Sequence, residues 1–256
     1  MSRPVAVIQA RMGSTRLPGK VLADVAGAPL LARMMERVRT AQTLAAVVVA
    51  TTELEEDEPV RALADELGVG CFAGSPDDVL ARMAGAARRF GADPLVRLTA
   101  DCPLIDPSLI DRCITTFLAT PGCDHAGLAG EFPDGLDTEV IASRALFHAA
   151  AVARLPSERE HVTPFILNRP DAFACLRIPF PVPLGHLRWT VDEPRDLAFV
   201  REVYRRLYRP GVVFGWLDVA ALLVREPELA QLNDGIERNA GYRRSLAADA
   251  AAEALG

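Results

Sequence analysis

Ten residues near the amino terminus, RMGSTRLPGK (Arg11 to Lys20), gather three cations, two glycines and two hydroxyls directly after an apolar run. Such a loop suits a polyphosphate, because cations offer charge-assisted hydrogen bonds and glycines let backbone N–H groups come close. It is not a P-loop. That pattern places four residues between its glycines and a magnesium-binding hydroxyl after its lysine, whereas five residues separate Gly13 from Gly19, and Lys20 precedes Val21. A metal accompanying the phosphates would need ligands from elsewhere. Mg2+ takes one or two carboxylates plus phosphate oxygens, and two aspartates stand where strands should end: Asp101 in TADCPLIDP and Asp192 in LRWTVDEPRDL. Glu193 rivals Asp192, while Asp196 falls in a first helical turn, where an acid complements the helix dipole. Asp106, before Pro107, reads as a helix cap.

The 28 cations comprise 27 arginines and one lysine, Lys20. Arginine-rich codon usage explains the excess, but a lysine kept inside this loop marks a place for a compact ammonium where a wide guanidinium would not do. Cys102 has no histidine near it in sequence and reads as a buried structural thiol. His125, His148, His161 and His186 lack metal-ligand spacing, so a zinc hydrolase finds no support. In the second half, Asp134, Asp137 and Glu139 could accept hydrogen bonds from hydroxyls, and Arg159, His161 and Arg188 could grip a carboxylate, phosphate or phosphonate. The bland alternatives are turn formers at Pro133 to Gly135 and an ordinary polar helical turn at Arg159 to His161.

The elements that must position these groups alternate. Strands are predicted at Pro4 to Ala10, Ala45 to Thr52, Gly70 to Phe72 and Pro94 to Leu98. Between them lie helices at Pro29 to Ala41, Glu58 to Gly68 and from Ser75, with Ser75 as cap and Pro76 in the first turn. This is the βαβ signature of a largely parallel sheet, whose ligands gather outside the carboxyl ends of the strands. Beyond Pro121 a loop holding FPDGLDTEV precedes helices near Ser143 to Ala153 and Glu158 to Leu167. Strands are expected near Phe173 to Pro179 and at Leu187 to Val191, then a long helix over Pro194 to Tyr208. The expected organisation is one α/β nucleotide-binding domain over residues 1–215 and a helical appendage over 216–256, packed on the domain or on another subunit. A homodimer is therefore one candidate assembly.

Composition narrows the classes. Half the residues are hydrophobic and the net charge is −6, with a pI near 5.3, which argues for a globular enzyme and against a nucleic-acid binder with its basic face. No run reaches the ~20 apolar residues of a membrane helix, and nothing resembles a signal peptide. Five scattered cysteines without a CxxC pair suit reduced thiols in a cytoplasm.

IQARMGSTRLPGKVL followed by DVAGAPLLARMMERV resembles the amino-terminal signature of the cytidylyltransferases that activate acidic sugars, the 3-deoxy-manno-octulosonate and acylneuraminate types. GSPDDVLARM, VRLTADCPLIDP, FPDGLDTEV, EREHVTPFI, LRWTVDEPRDL and LNDGIERNAGYRRSL extend the likeness over nearly the whole chain, most closely to the spore-coat polysaccharide biosynthesis subgroup. The resemblance implies a Rossmann-like nucleotide-diphospho-sugar transferase fold, CTP as donor and Mg2+ as cofactor. By position, it places triphosphate on Arg11, Gly13, Ser14, Arg16 and Lys20, and metal on Asp101 and Asp192, the pair already chosen at strand ends. Cytidine would fall on Ala10, Gly74, Ser75, Asp78, Arg82 and Ala100. Lys20, Arg11 and Asp101 carry the expected catalysis: CMP transfer from CTP to a small acidic acceptor with release of pyrophosphate. TADCPLID departs from the glutamine-glycine-aspartate pattern of the octulosonate enzymes, which bears on base and acceptor recognition. The alternatives are a glycosyltransferase of similar fold using a nucleotide-sugar donor, and a non-catalytic nucleotide-binding protein.

Overall fold

The computed structural model describes residues 2–238 and 240–253. Strand β1 (Val5–Gln9) has four consecutive fully buried residues, Val5 to Ile8, so both of its faces are covered, as in a parallel sheet between helices. Two short strands then pair as a hairpin, β2 (Asp24–Val25) with β3 (Ala28–Pro29), and lead into α1 (Leu30–Val38). Leu30, Leu31, Met34, Met35 and Val38 of α1 enter the core, as their helical spacing predicts. The alternation continues through β4 (Ala46–Thr52), α2 (Glu58–Glu66), β5 (Gly70–Gly74), α3 (Val79–Phe90), β6 (Leu95–Thr99) and α4 (Pro107–Leu118). Asp106 caps α4 as expected, accepting from the Ser108 and Leu109 N–H groups. The cap of α3 differs from the expectation: Asp78, three residues beyond Ser75, accepts from Ala81 N at 2.8 Å. Ser75 to Asp77 remain a loop, tied by the Arg82 guanidinium to the Ser75 carbonyl.

The second half holds β7 (His125–Ala129), β8 (Glu139–Ile141), α5 (Ser143–Val152), α6 (Pro156–His161), α7 (Pro164–Leu167), β9 (Cys175–Pro179), α8 (Pro194–Leu207), α9 (Trp216–Arg225) and α10 (Ala240–Glu253). β7 and β8 were not foreseen, since HAGLA has no β-branched residue and β8 is only three residues long. The helix expected over Glu158 to Leu167 is two helices. Pro164 has no N–H to continue the first, and the chain turns at Val162, whose φ of 72° and ψ of −58°, with Thr163 N donating to His161 O at 2.8 Å, describe the rare γ-turn. Leu187 to Val191 is extended but is no strand of the sheet, making one bridge, Asp134 to Arg188. Its alternation is real nonetheless: Trp189 and Val191 enter a core cluster with α8 and α9, while Arg188 and Thr190 face a cleft.

The seven strands run β5, β4, β1, β6, β8, β7, β9, with β8 alone antiparallel to its neighbours. Gln9 lies opposite Ala50 on one side and Thr99 on the other, so the loops after β1, β4 and β6 leave the sheet at one edge. Among the described residues no helix is long and apolar enough to cross a membrane. Residues of α9, notably Val219 and Leu222, are buried against Trp189 and Phe199 in the second core cluster.

One polar cluster crosses the sheet. Glu139 of β8 stands opposite Arg97 of β6, its Oε2 2.6 Å from Arg97 Nη1 and its Oε1 3.2 Å from His125 Nε2. A carboxylate only accepts, so His125 carries its proton on Nε2. Burial pushes the Glu139 carboxyl up, but Arg97 and His125 together bring it from 4.5 to about 2. A depressed folded pKa contributes stability above the unfolded value and loses it as pH falls through the folded one. Glu139→Gln is therefore expected to cost roughly 3 kcal/mol at pH 7, with the deficit shrinking between pH 4.5 and 2. Urea denaturation across that range checks this; a deficit independent of pH would contradict it.

Candidate active site

The loop after β1 is folded by its own backbone. Gly19 has φ 70°, a conformation cheap only for glycine, and this lets the Gly19 and Ser14 N–H groups both reach Met12 O, at 3.0 and 2.8 Å. Leu17 N donates to Ser14 Oγ at 3.3 Å. Asp57, fully buried, anchors the loop from below by accepting from Met12 N at 2.5 Å and from the Thr52 hydroxyl. The 3-10 turn Lys20–Leu22 follows and carries the one lysine inward.

Lys20 is 9 % exposed, and its ammonium lies between the two aspartates chosen from sequence. Nζ is 3.0 Å from Asp101 Oδ2, 2.8 Å from Asp192 Oδ1 and 2.7 Å from the Val191 carbonyl. Burial works against its charge, but the two carboxylates overcome this and raise its pKa, so it is an ammonium at neutral pH. Burial likewise pushes Asp101 up, while Lys20 and hydrogen bonds from Thr99 and Cys102 bring it down to about 2. The two acids meet because Val191 N donates to Asp101 O at 2.7 Å, pinning the extended segment across the end of β6. Arg16 adds a bond to Asp192 Oδ2 at 2.9 Å. Cys102 is buried, its thiol pushed well up by burial and held between Thr99 and Asp101.

Arg188 holds the opposite side. Its Nε donates to Asp196 Oδ1 at 2.9 Å, Nη1 to Asp134 Oδ2 at 2.7 Å and Nη2 to Asp192 Oδ2 at 2.8 Å. Asp196 is fully buried in the first turn of α8 and also accepts from the Asp192 and Glu193 N–H groups and from Asn233 Nδ2. The acidic loop packs on this segment at Gly135, where φ is 111° and an added Cβ would lie 2.6 Å from Thr190 N. Burial and the neighbouring Asp137 push Asp134 up to about 6, against the pull of Arg238 and Arg188.

These groups line one cleft of about 620 Å³, within the range of small-molecule sites. Of the residues expected from sequence, Ala10, Arg11, Gly13, Ser14, Arg16, Lys20, Ala100, Asp101, Asp134, Asp137, Glu139, His161, Arg188 and Asp192 border it. Gly74, Ser75, Asp78, Arg82 and Arg159 do not. Arg159 pairs with Asp78 and donates to Ala150 O, so two residues expected to bind different ligands hold each other, joining α3 to α6. Arg82 lies close enough to Arg11 that, after burial, that charge is the next cause lowering its pKa, and its buried Nε has no partner among the described residues. Sequence reasoning passed over Gln9, Arg97, Thr190, Tyr242 and Arg244, which also line the cleft. Arg97 had a signal, a charge inside the otherwise apolar strand PLVRL; Tyr242 and Arg244 had one too, standing in LNDGIERNAGYRRSL, a stretch that carries the resemblance.

Residues 5–202 match the family model described as cytidylyltransferase. The spore coat polysaccharide biosynthesis protein SpsF of Bacillus subtilis is 32% identical over 232 residues, 88% of this chain and 95% of that protein. A cytidylyltransferase structure from Leptospira borgpetersenii superposes with a TM-score of 0.87 at 31% identity, covering 93% of this chain and 100% of that one. The structure of a CMP:2-keto-3-deoxy-manno-octonic acid synthetase complexed with CTP shares the fold, with a TM-score of 0.61 at 20% identity over 81% of this chain and all of that chain. The sheet order, the loop after β1 and these matches lead to one conclusion: the chain belongs to the cytidylyltransferase family and is a CTP-dependent nucleotidyltransferase.

Proposed function

We propose that the cleft transfers the CMP group of CTP to an acidic sugar or related oxyanion-bearing acceptor and releases pyrophosphate. The observation that carries this reading is the convergence of Asp101 and Asp192 on one cation, Lys20 Nζ, at the inner end of the glycine-rich loop. Two carboxylates already sharing a cation form a set that fits Mg2+, which takes one or two carboxylates and completes its shell with phosphate oxygens and water. Among the described residues no third His, Cys, Asp or Glu joins them into a larger ligand group, which suits a metal that arrives with a nucleotide. When bound there, Mg2+ would neutralise phosphate charge and lower the pKa of an acceptor hydroxyl.

The chain's own residues do the rest. Arg11, Gly13 and Ser14 present charge and backbone donors to the β- and γ-phosphates, while Arg16, paired with Asp192, and Lys20, between Asp101 and Asp192, flank them with positive charge. The acceptor oxygen attacks the α-phosphorus in line, the bond to the β-phosphate oxygen breaks, and pyrophosphate leaves with its charge stabilised by these cations. Arg188 fixes Asp192 and Asp134 through its three ion pairs and so serves positioning. Asp134, Asp137 and Glu139 face the part of the cleft where acceptor hydroxyls would lie.

Purified protein incubated with Mg2+, each of the four nucleoside triphosphates and a panel of acidic sugars and phosphonates is expected to release pyrophosphate with CTP; release with ATP or UTP alone would overturn the cytidylyl reading. Asp101→Asn should lower turnover by roughly 10²- to 10³-fold, in line with the loss of one preorganised electrostatic group, while CTP still binds in calorimetry. Lys20→Arg keeps the charge but cannot fit a planar fork at three contacts of 2.7 to 3.0 Å. Its turnover is expected to fall at least about tenfold, and wild-type rates would sink the assignment of a compact ammonium.

A further inference from the structure

Five arginines line the cleft: Arg11, Arg16, Arg97, Arg188 and Arg244. Three are committed to carboxylates, Arg16 to Asp192 at 2.9 Å, Arg97 to Glu139 at 2.6 Å, and Arg188 to Asp134, Asp192 and Asp196. Among the described residues Arg11 and Arg244 have no carboxylate partner. Arg11 belongs to the loop assigned to triphosphate. Arg244 stands on α10, which the family match, ending at residue 202, does not reach.

α10 is placed on the cleft by specific polar contacts, not by an apolar face. Asp249 Oδ1 accepts from Ser157 N at 2.8 Å, at the start of α6. Ser245 Oγ lies 3.0 Å from both Glu160 Oε2 and His161 Nε2, and the Tyr242 ring meets the His161 ring edge-on at 5.1 Å. Ahead of the helix, Arg238 donates to Phe132 O at 3.0 Å and lies 3.7 Å from both Asp134 and Asp137. Tyr242 and Arg244 both line the cleft that His161, Asp134 and Asp137 line, Arg244 from an exposed position on the helix.

On the reading that CMP is transferred from CTP, we infer that α10 forms the acceptor-selecting wall. Arg244 takes the anionic group of the acceptor, a carboxylate, phosphate or phosphonate on a hydroxylated molecule, and Tyr242 closes the same subsite beside His161. This departs from the sequence-based expectation, in which Arg159 and Arg188 gripped that anion; both are engaged by aspartates.

The test compares wild type with Arg244→Ala, Arg244→Lys and Tyr242→Phe in pyrophosphate release, using CTP and Mg2+ with N-acetylneuraminate, glucuronate, glucose 6-phosphate and 2-hydroxyethylphosphonate, and glucose as the neutral control. A charge-assisted hydrogen bond is worth about 1.5–3 kcal/mol, so Arg244→Ala should raise the acceptor KM roughly 10- to 100-fold. The KM for CTP should stay within about twofold, and Arg244→Lys should recover part of the loss. An unchanged acceptor KM in Arg244→Ala, or an equal rise in the KM for CTP, would overturn the inference. So would a wild type that binds CTP yet responds to glucose alone or to none of the anions. Failure of the wild type to bind CTP would instead remove the transfer reading, and this inference with it.

Discussion

Three aspartates, two from its own segment and Asp134 from the acidic loop, converge on one buried guanidinium, that of Arg188. Removing such a group from water costs several kcal/mol unless its donors are satisfied and its charge matched, and Asp134, Asp192 and Asp196 supply both. Although burial opposes its charge, these partners hold Arg188 above its ordinary pKa. The arrangement is cooperative in a simple sense: loss of any member leaves the others buried and mismatched. It fixes the start of α8 through Asp196, the acidic loop through Asp134, and the candidate metal acid Asp192.

The second charge cluster is built on the first. Lys20 reaches Asp192 only because Arg188 and the Val191 to Asp101 hydrogen bond hold the extended segment across the sheet edge. Lys20 in turn ends a loop whose shape depends on Gly19 and on buried Asp57. The glycine-rich loop, the β6 aspartate and the segment before α8 thus form one unit, although about 170 residues separate its ends. Its charges alternate in space: Lys20 lies between Asp101 and Asp192, and Arg188 among Asp134, Asp192 and Asp196.

Much of this was legible in the sequence. The period of α1, the apolar run of β1 and the turn residues at strand ends gave the alternation, and strand-end position alone singled out Asp101. Asp192 was chosen by partly wrong reasoning, since the segment before it joins no ladder; its alternation survived because one face meets a core and the other a cleft. β7, β8 and the break at Val162 were not legible, being short or dictated by neighbours. Gly74, Ser75, Asp78, Arg82 and Arg159 were placed by resemblance or residue type, and their partners in the fold lie outside the cleft.

Local chemistry, then, was settled by the sequence itself: which residues can turn, cap, donate or carry charge, and that the loop after β1 departs from the P-loop pattern. Which charges remain available to a ligand was decided by tertiary structure alone. An arginine's availability depends on whether a carboxylate lies within about 4 Å of it, and that distance is set by packing between elements far apart in the chain. Arg159, Arg188 and Arg244 are the same residue type in similarly polar surroundings of sequence, yet in the fold the first two are held by aspartates and the third faces the cleft.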